Sequence, residues 1–292
     1  ALTSVLHVTS VPNLREEGAL KLEHNIVSMA FDPVQPGRVA VVGSTGEMDV
    51  LSLVDVKGGT VISIIAPRGQ GVPVFAISPS GDAYLGNSGS NSVLFAKSAA
   101  FLPFEQALKA RLGGEEAGAR LSVPGLSSIA KLSTSPDGGV LFASASEKPL
   151  VFALSAGKSF SIIGQIGSPG EQQSARLLPI AFDSSYISSS RSKSGQTSSF
   201  LLADVNQRRL VLADYNAVFS TFDIIADDAF DDSIPFGNLS TTGLPDSFVH
   251  VASDADQSAI LVGSPASPVL NLYGRNGPTL QRLFAIKLSD MP

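Results

Sequence analysis

One pattern recurs along this chain and limits what it can fold into. An apolar run of four to seven residues is followed by a polar turn and a second run ending in small residues. Another turn and a third run follow. Residues 75–98, FAISPSGDAYLGNSGSNSVLFAKS, show the unit in one piece. Short apolar runs bounded by Gly, Asn, Ser and Pro are the pattern of antiparallel strands joined by tight turns. The glycines and serines of this stretch are therefore read as hairpins rather than as a flexible catalytic loop.

The unit returns at residues 26–55, 128–157 and 248–274, and in two halves at 177–185 and 200–216. A fourth run often follows, at residues 60–65, 159–166, 217–225 and 280–288. A four-stranded sheet with two apolar faces buries both only by stacking on like sheets, and radial stacking makes it a propeller blade. Two β-sandwiches would not share a single repeat. The expected fold is an all-β propeller of four-stranded antiparallel blades, six-bladed with seven as the runner-up, carrying one inserted helix. It forms a single domain over residues 1–292, with units near 25–68, 69–124, 125–172, 173–227 and 228–292. Residues 1–24 hold two further runs, SVLHVTS and GALKLEH. These complete a blade or pair with the C-terminal strands, which closes the ring and leaves no free edge.

Composition narrows the function classes. At 43% hydrophobic and 16% charged, the chain can bury a large core and is not disordered throughout. Runs such as VISIIA at 61–66 are too short to cross a bilayer, so no membrane insertion is expected. No basic-then-apolar segment opens the sequence; a signal segment was removed before Ala1 or never existed. With a net charge of −6 and scattered Lys and Arg, the chain lacks the basic stripe that nucleic acid requires. The absence of cysteine excludes disulfides, thiol catalysis and Cys-ligated metals. A chain without Cys or Trp and rich in Ser, Gly and Ala has the composition of an exported bacterial protein.

The turns SPSGD (78–82) and SPDGG (135–139) resemble those of bacterial lactonase-like and surface-layer-type propellers. LADVNQRRLVLAD at 202–214 is similar to the second-to-third strand hairpin of NHL-type propellers. The resemblance implies architecture over most of the chain and no catalytic residue. The Gly-His and Trp-Asp signature is missing, as is the box of sialidase-type propellers.

Three segments break the repeat. Within residues 101–123 a helix is read at Phe104–Leu112, between the third and fourth strands of a blade, with Phe104, Leu108 and Leu112 on one face and Gly113–Gly114 as its stop. Glu105 and Lys109 are spaced as a favourable pair. Residues 184–199 form an exposed loop whose candidate contact residues are Tyr186, Arg191 and Lys193. Residues 226–247 form an acidic loop. Asp227, Asp228, Asp231 and Asp232 are candidate calcium ligands there, because hard cations take several oxygen donors. Their spacing matches no known calcium loop. Phe230 and Phe236 are the apolar contact candidates of that loop.

Catalytic signatures are weak. His7, His24 and His250 are far apart in sequence, although a closed ring could gather them; single satisfied histidines are the ordinary case. No nucleophile elbow or phosphate loop occurs. Asp32, Asp183 and Asp254 follow first strands, where Ser78 and Ser135 stand in other units. Such a residue ordinarily caps the turn. The expected function is a non-enzymatic binding or scaffold propeller, extracytoplasmic and monomeric, presenting loops to a protein or glycan. The alternative is a calcium-assisted, lactonase-type hydrolase with its site in the central channel.

Overall fold

The computed structural model describes residues 3–9, 16–32, 34–35, 37–135, 138–145, 151–157, 159–166, 177–182, 197–204, 209–216, 221–229, 250–253, 259–263, 269–276 and 279–287. Strands β1 (Ser4–Thr9) and β2 (Glu16–Leu22) form an antiparallel hairpin. β3 (Ser28–Phe31), β4 (Arg38–Thr45), β5 (Met48–Asp55) and β6 (Thr60–Pro67) meander through the next sheet. β7 (Pro73–Ile77), β8 (Ala83–Asn87) and β9 (Ser92–Ala96) begin a third. The chain then makes a short 3-10 turn (Ser98–Ala100), β10 (Leu102–Pro103), helix α1 (Phe104–Leu112) and β11 (Ala119–Ser122). β10 returns to pair with β6, and β11 pairs with β9 as the fourth strand of its sheet.

The later sheets are plain four-strand meanders. They comprise β12 (Ile129–Thr134), β13 (Val140–Ala145), β14 (Val151–Ser155) and β15 (Ile162–Ile166); β16 (Leu177–Phe182), β17 (Thr197–Asp204), β18 (Arg209–Asn216) and β19 (Thr221–Ala229); and β20 (His250–Ser253), β21 (Ala259–Gly263), β22 (Val269–Asn276) and β23 (Thr279–Lys287). Contacts divide the chain into two compact units. One is Ala1–Leu132 with Ala156–Phe160, the other Ser133–Ser155 with Ser161–Pro292.

In the first unit the strand sequences explain the burial. β4 to β6 read RVAVVGST, MDVLSLVD and TVISIIAP, rich in β-branched residues at consecutive positions. Such runs suit a sheet covered on both faces. On one face Ala40, Val42, Leu51, Leu53 and Ile64 pack with Leu85, Leu94 and Phe101 of the next sheet and its insertion. On the other, Val41 and Val54 meet Leu6 and Leu22 of the hairpin, while Val50 and Ile65 meet Ala107 of α1. Each fully buried side chain of this size contributes about 1.5–3 kcal/mol.

The turns confirm the architectural reading of the glycine-rich stretch. Gly81 adopts φ 83°, and the Ser78 hydroxyl accepts the Asp82 N–H at 3.1 Å. SPDGG repeats this: Gly138 has φ 73°, and the Ser135 hydroxyl accepts the Val140 N–H at 2.9 Å. Asp32 serves the preceding sheet, accepting the Val34 N–H at 2.8 Å and pairing with Arg38. The loop at 43–49 is a two-residue hairpin with Gly46 at φ 54°.

Two expectations need correction. The helix spans the predicted residues, but Phe104, Ala107 and Leu108 make its packed face, and Leu112 is 70% exposed. The helix does end at Gly113–Gly114 as read, Gly114 taking the left-handed conformation (φ 89°) in a Schellman ending, with Gly114 N–H to Arg111 O at 3.0 Å and Glu115 N–H to Ala110 O at 3.0 Å. The two long loops are shorter than read. Thr197–Ser199 already pair with Asn216–Asp214, and Ala226–Ala229 belong to β19.

Candidate functional site

Tyr186, Arg191, Lys193, Phe230, Phe236, Asp231 and Asp232 lie outside the described residues, as do Asp183 and Asp254. Asp227 and Asp228 are ladder positions of β19, Cα partners of Val211 and Leu210, rather than loop residues. Among the described residues no group of three or more His, Asp or Glu is placed to hold a metal ion. His7 sits on β1 opposite Ala19, and His250 on β20 opposite Gly263.

The geometry of interest lies in the first unit, on the face of the β4–β6 sheet that carries both the hairpin and α1. Ser52 of β5 and Ser63 of β6 are direct cross-strand partners. Both are fully buried, and their hydroxyls lie 2.8 Å apart. His24 follows the hairpin and reaches the same point, with Nε2 2.8 Å from Ser52 Oγ and Nδ1 2.7 Å from the Asn25 carbonyl oxygen. A carbonyl can only accept, so Nδ1 carries the proton. Nε2 then accepts from Ser52, and Ser52 accepts from Ser63. The chain is directional, and it keeps His24 neutral: burial pushes its pKa down, against a smaller upward pull from the Asn25 carbonyl. The sequence shows His24 as an isolated histidine at a strand end; neither serine carries any signal of its own.

Helix α1 roofs the neighbouring part of this face. Beside it is a cleft of about 200 Å³ lined by residues that include Ser63, Ile65, Leu102, Ala107, Arg111 and Glu116. Arg111 Nη1 lies 3.5 Å from the Glu115 carbonyl oxygen and 3.8 Å from the Glu116 carboxylate. Glu116 is also held by Arg120 at 3.0 Å. The Arg111 Nε–H is buried with no acceptor among the described residues.

A second polar cluster closes the open ends of two sheets. Buried Asp49 accepts from the Ser44 hydroxyl, the Gly69 N–H and the Asn87 amide, each at 3.0 Å. Asn87 also donates to the Gly71 carbonyl at 3.1 Å and accepts the Gly89 N–H at 3.0 Å. These groups satisfy backbone atoms of the 68–72 crossover and serve as a structural clasp. Tyr84 stacks on Phe95, ring centroids 5.2 Å apart, and Lys97 covers the Phe95 ring while pairing with Asp82 at 2.6 Å. Lys131 on β12 is half-buried, and desolvation pushes its pKa down to about 8. In sequence it looks like an ordinary solvent-facing strand lysine.

No protein-family model matches the chain, and no curated protein matches it in sequence. Solved structures do resemble it. A candidate 6-phosphogluconolactonase from Bacteroides uniformis shares 13% identity and a TM-score of 0.64 over 97% of this chain and 77% of that one. Hsv2 of Kluyveromyces lactis shares 10% identity, with a TM-score of 0.55 over 97% of this chain and 80% of that one. The beta-propeller domain of Myceliophteria thermophila Cps50 (Swd1) shares 8%, with 0.54 over 97% and 74%. Identities this low speak to fold alone. The repeated four-stranded antiparallel meanders and this likeness together make the chain an all-β propeller.

Proposed function

We propose that this propeller is a non-enzymatic binding or scaffold domain, a single monomeric ring working outside the cytoplasm of a bacterial cell. It presents α1 and the two insertions that break the repeat, within 184–199 and 227–247, to a protein or glycan. The observation that supports it best is where the buried polar side chains of the first unit go. Asp32, Asp49, Asn87 and His24 hold turns, a crossover and a strand end. They build a rigid frame, and α1 is mounted on that frame with Leu112 turned outward. Rigid frames with variable insertions are how such folds serve recognition. Photo-cross-linkers placed at positions 112, 186, 191, 193, 230 and 236 in the source cell should capture one recurrent protein or glycan. Cross-links scattered as evenly as those from a buried-strand control would overturn the reading.

A second reading, a calcium-assisted lactonase, draws on the likeness to two candidate 6-phosphogluconolactonases, from Bacteroides uniformis and Bacteroides fragilis, at TM-scores of 0.64 and 0.63. It requires calcium-dependent turnover of 6-phosphogluconolactone that is lost on joint Asp→Asn replacement at 32, 183 and 254, the acidic residues that follow first strands.

A further inference from the structure

We propose that the β1–β2 hairpin is an acid-releasable cover on the β4–β6 sheet, with His24 as its latch. Protonation of His24 at Nε2 lifts the hairpin off Val41 and Val54, while the sheet keeps its strands. Three features of the junction point to this.

The first is how the hairpin is attached. Among the described residues β1 and β2 pair only with each other, so no ladder ties them to a neighbouring sheet. The hairpin rests on Val41 and Val54 through Leu6 and Leu22, with Leu20 beside them. A two-stranded hairpin is marginal by itself, so these contacts and the latch decide whether it stays docked. From Asn25 onward the chain is fixed to β4. The Asn25 N–H donates to the Ser44 carbonyl at 3.2 Å, and the Val27 N–H to the Val42 carbonyl at 2.8 Å. His24 is thus the last residue before the anchored segment.

The second is the proton chain. His24 is 1% exposed, and Ser52 and Ser63 are fully buried. The neutral ring accepts the Ser52 proton, and Ser52 accepts that of Ser63. A proton on Nε2 would meet the Ser52 O–H, so both hydroxyls would have to turn round. The Ser63 proton then loses Ser52, and the Ser63 side chain has no other hydrogen bond among the described residues. An unpaired buried donor and an unpaired buried charge are both costly.

The third is the lack of a counter-charge. The face of β4–β6 that carries Ser52 and Ser63 holds no ionisable side chain. Arg38, Asp49 and Asp55 fall at the alternate positions, where Arg38 pairs with Asp32, Asp49 holds Ser44 and Asn87, and Asp55 caps its own turn. β3 has no ionisable residue. On the hairpin, His7 is exposed, Lys21 and Glu23 pair with each other at 3.3 Å, and Glu16 and Glu17 open β2 at the end away from His24. On α1, Glu105 and Lys109 are exposed and Arg111 is engaged by Glu115 and Glu116. What acts on the ring is burial, which lowers its pKa, against the Asn25 carbonyl. An undocked His24 titrates near 6.5, so docking is at full strength above that pH and weakens as pH falls below it. The device goes beyond the partner-binding reading, because α1 packs on Val50 and Ile65 and keeps its seat when the hairpin leaves.

The test is hydrogen exchange of the whole chain, read by mass spectrometry at pH 7.5 and 5.5 and corrected for the intrinsic pH dependence of exchange. One proton is taken up on release, so opening of β1 and β2 should rise by about threefold to tenfold at the lower pH. Peptides from β4–β6 should change by less than about twofold, because their ladders are not broken. His24→Gln should remove the difference. Equal hairpin protection at the two pH values, loss of protection in hairpin and sheet together, or a full pH response in His24→Gln would each overturn the proposal. If His24→Gln leaves the hairpin open at both pH values, the pH titration of the wild-type His24 Cε1 resonance decides. Its midpoint should lie below 6.5, and a midpoint at or above 6.5 overturns the proposal.

Discussion

At the residue scale, the protein uses its few buried polar groups where backbone atoms need partners. Asp49 is the clearest case, since its carboxylate holds Ser44, Asn87 and the Gly69 N–H at once. Hydrogen bonds to a charged group are worth about 1.5–3 kcal/mol each, and the partners left behind are buried. Asp49→Ala should therefore cost about 3 kcal/mol or more, read as a lower urea midpoint at unchanged m-value. His24 predicts a pH dependence. Its folded pKa is lowered, so near pH 6.5 and below the unfolded chain binds more protons than the folded one. Stability should fall as pH drops through 6.5 toward the folded-state value. His24→Gln should flatten urea-midpoint curves between pH 7.5 and 5.5. Equal slopes for the two proteins would show that His24 does not titrate as described.

At the element scale, backbone geometry decides which small residues matter. A Cβ on Gly43 would collide with the Asn25 carbonyl, where the chain entering β3 crosses β4. Gly43→Ala should destabilise strongly, by more than about 2 kcal/mol, because the blocking atom is backbone that cannot turn aside. Gly114→Ala forces a left-handed alanine at the end of α1 and should cost about 1–2 kcal/mol, with space no obstacle. Leu112→Gln, two residues earlier at an exposed position, should leave the thermal midpoint within a degree or so of wild type. The same variant should reduce partner cross-linking if α1 faces the partner.

At the scale of the whole molecule, the two functional readings separate by ligand linkage. A calcium site in the folded chain stabilises it by RT ln(1 + [L]/Kd), about 2.7 kcal/mol at a hundredfold excess. The binding reading expects the metal-stripped protein to melt at the same temperature with and without millimolar calcium. A clear rise would put the carboxylates at 227–232 in a real site and turn attention to hydrolysis.

The apolar runs and turn glycines determined by themselves that this chain forms short antiparallel strands in repeating sheets, because period, propensity and turn chemistry are local. SPSGD and SPDGG were legible as hairpins, and α1 was legible to the residue at both ends. Other features depended on neighbours distant in sequence. Ala226–Ala229 reads as an acidic loop, since aspartate is poor in strands, yet β18 runs on and offers it a ladder. Leu102–Pro103 has no strand signal of its own and becomes β10 only because β6 has a free edge beside it. The candidate site was the least legible of all. Ser52 and Ser63 are 11 residues apart, and His24 is 28 from Ser52. They meet because strand register and the hairpin's packing bring them to one face. Arg111 acquires its orphaned donor only where α1 lies down on β6. A cleft is a property of surfaces meeting in space, and the order of residues along a chain does not contain it.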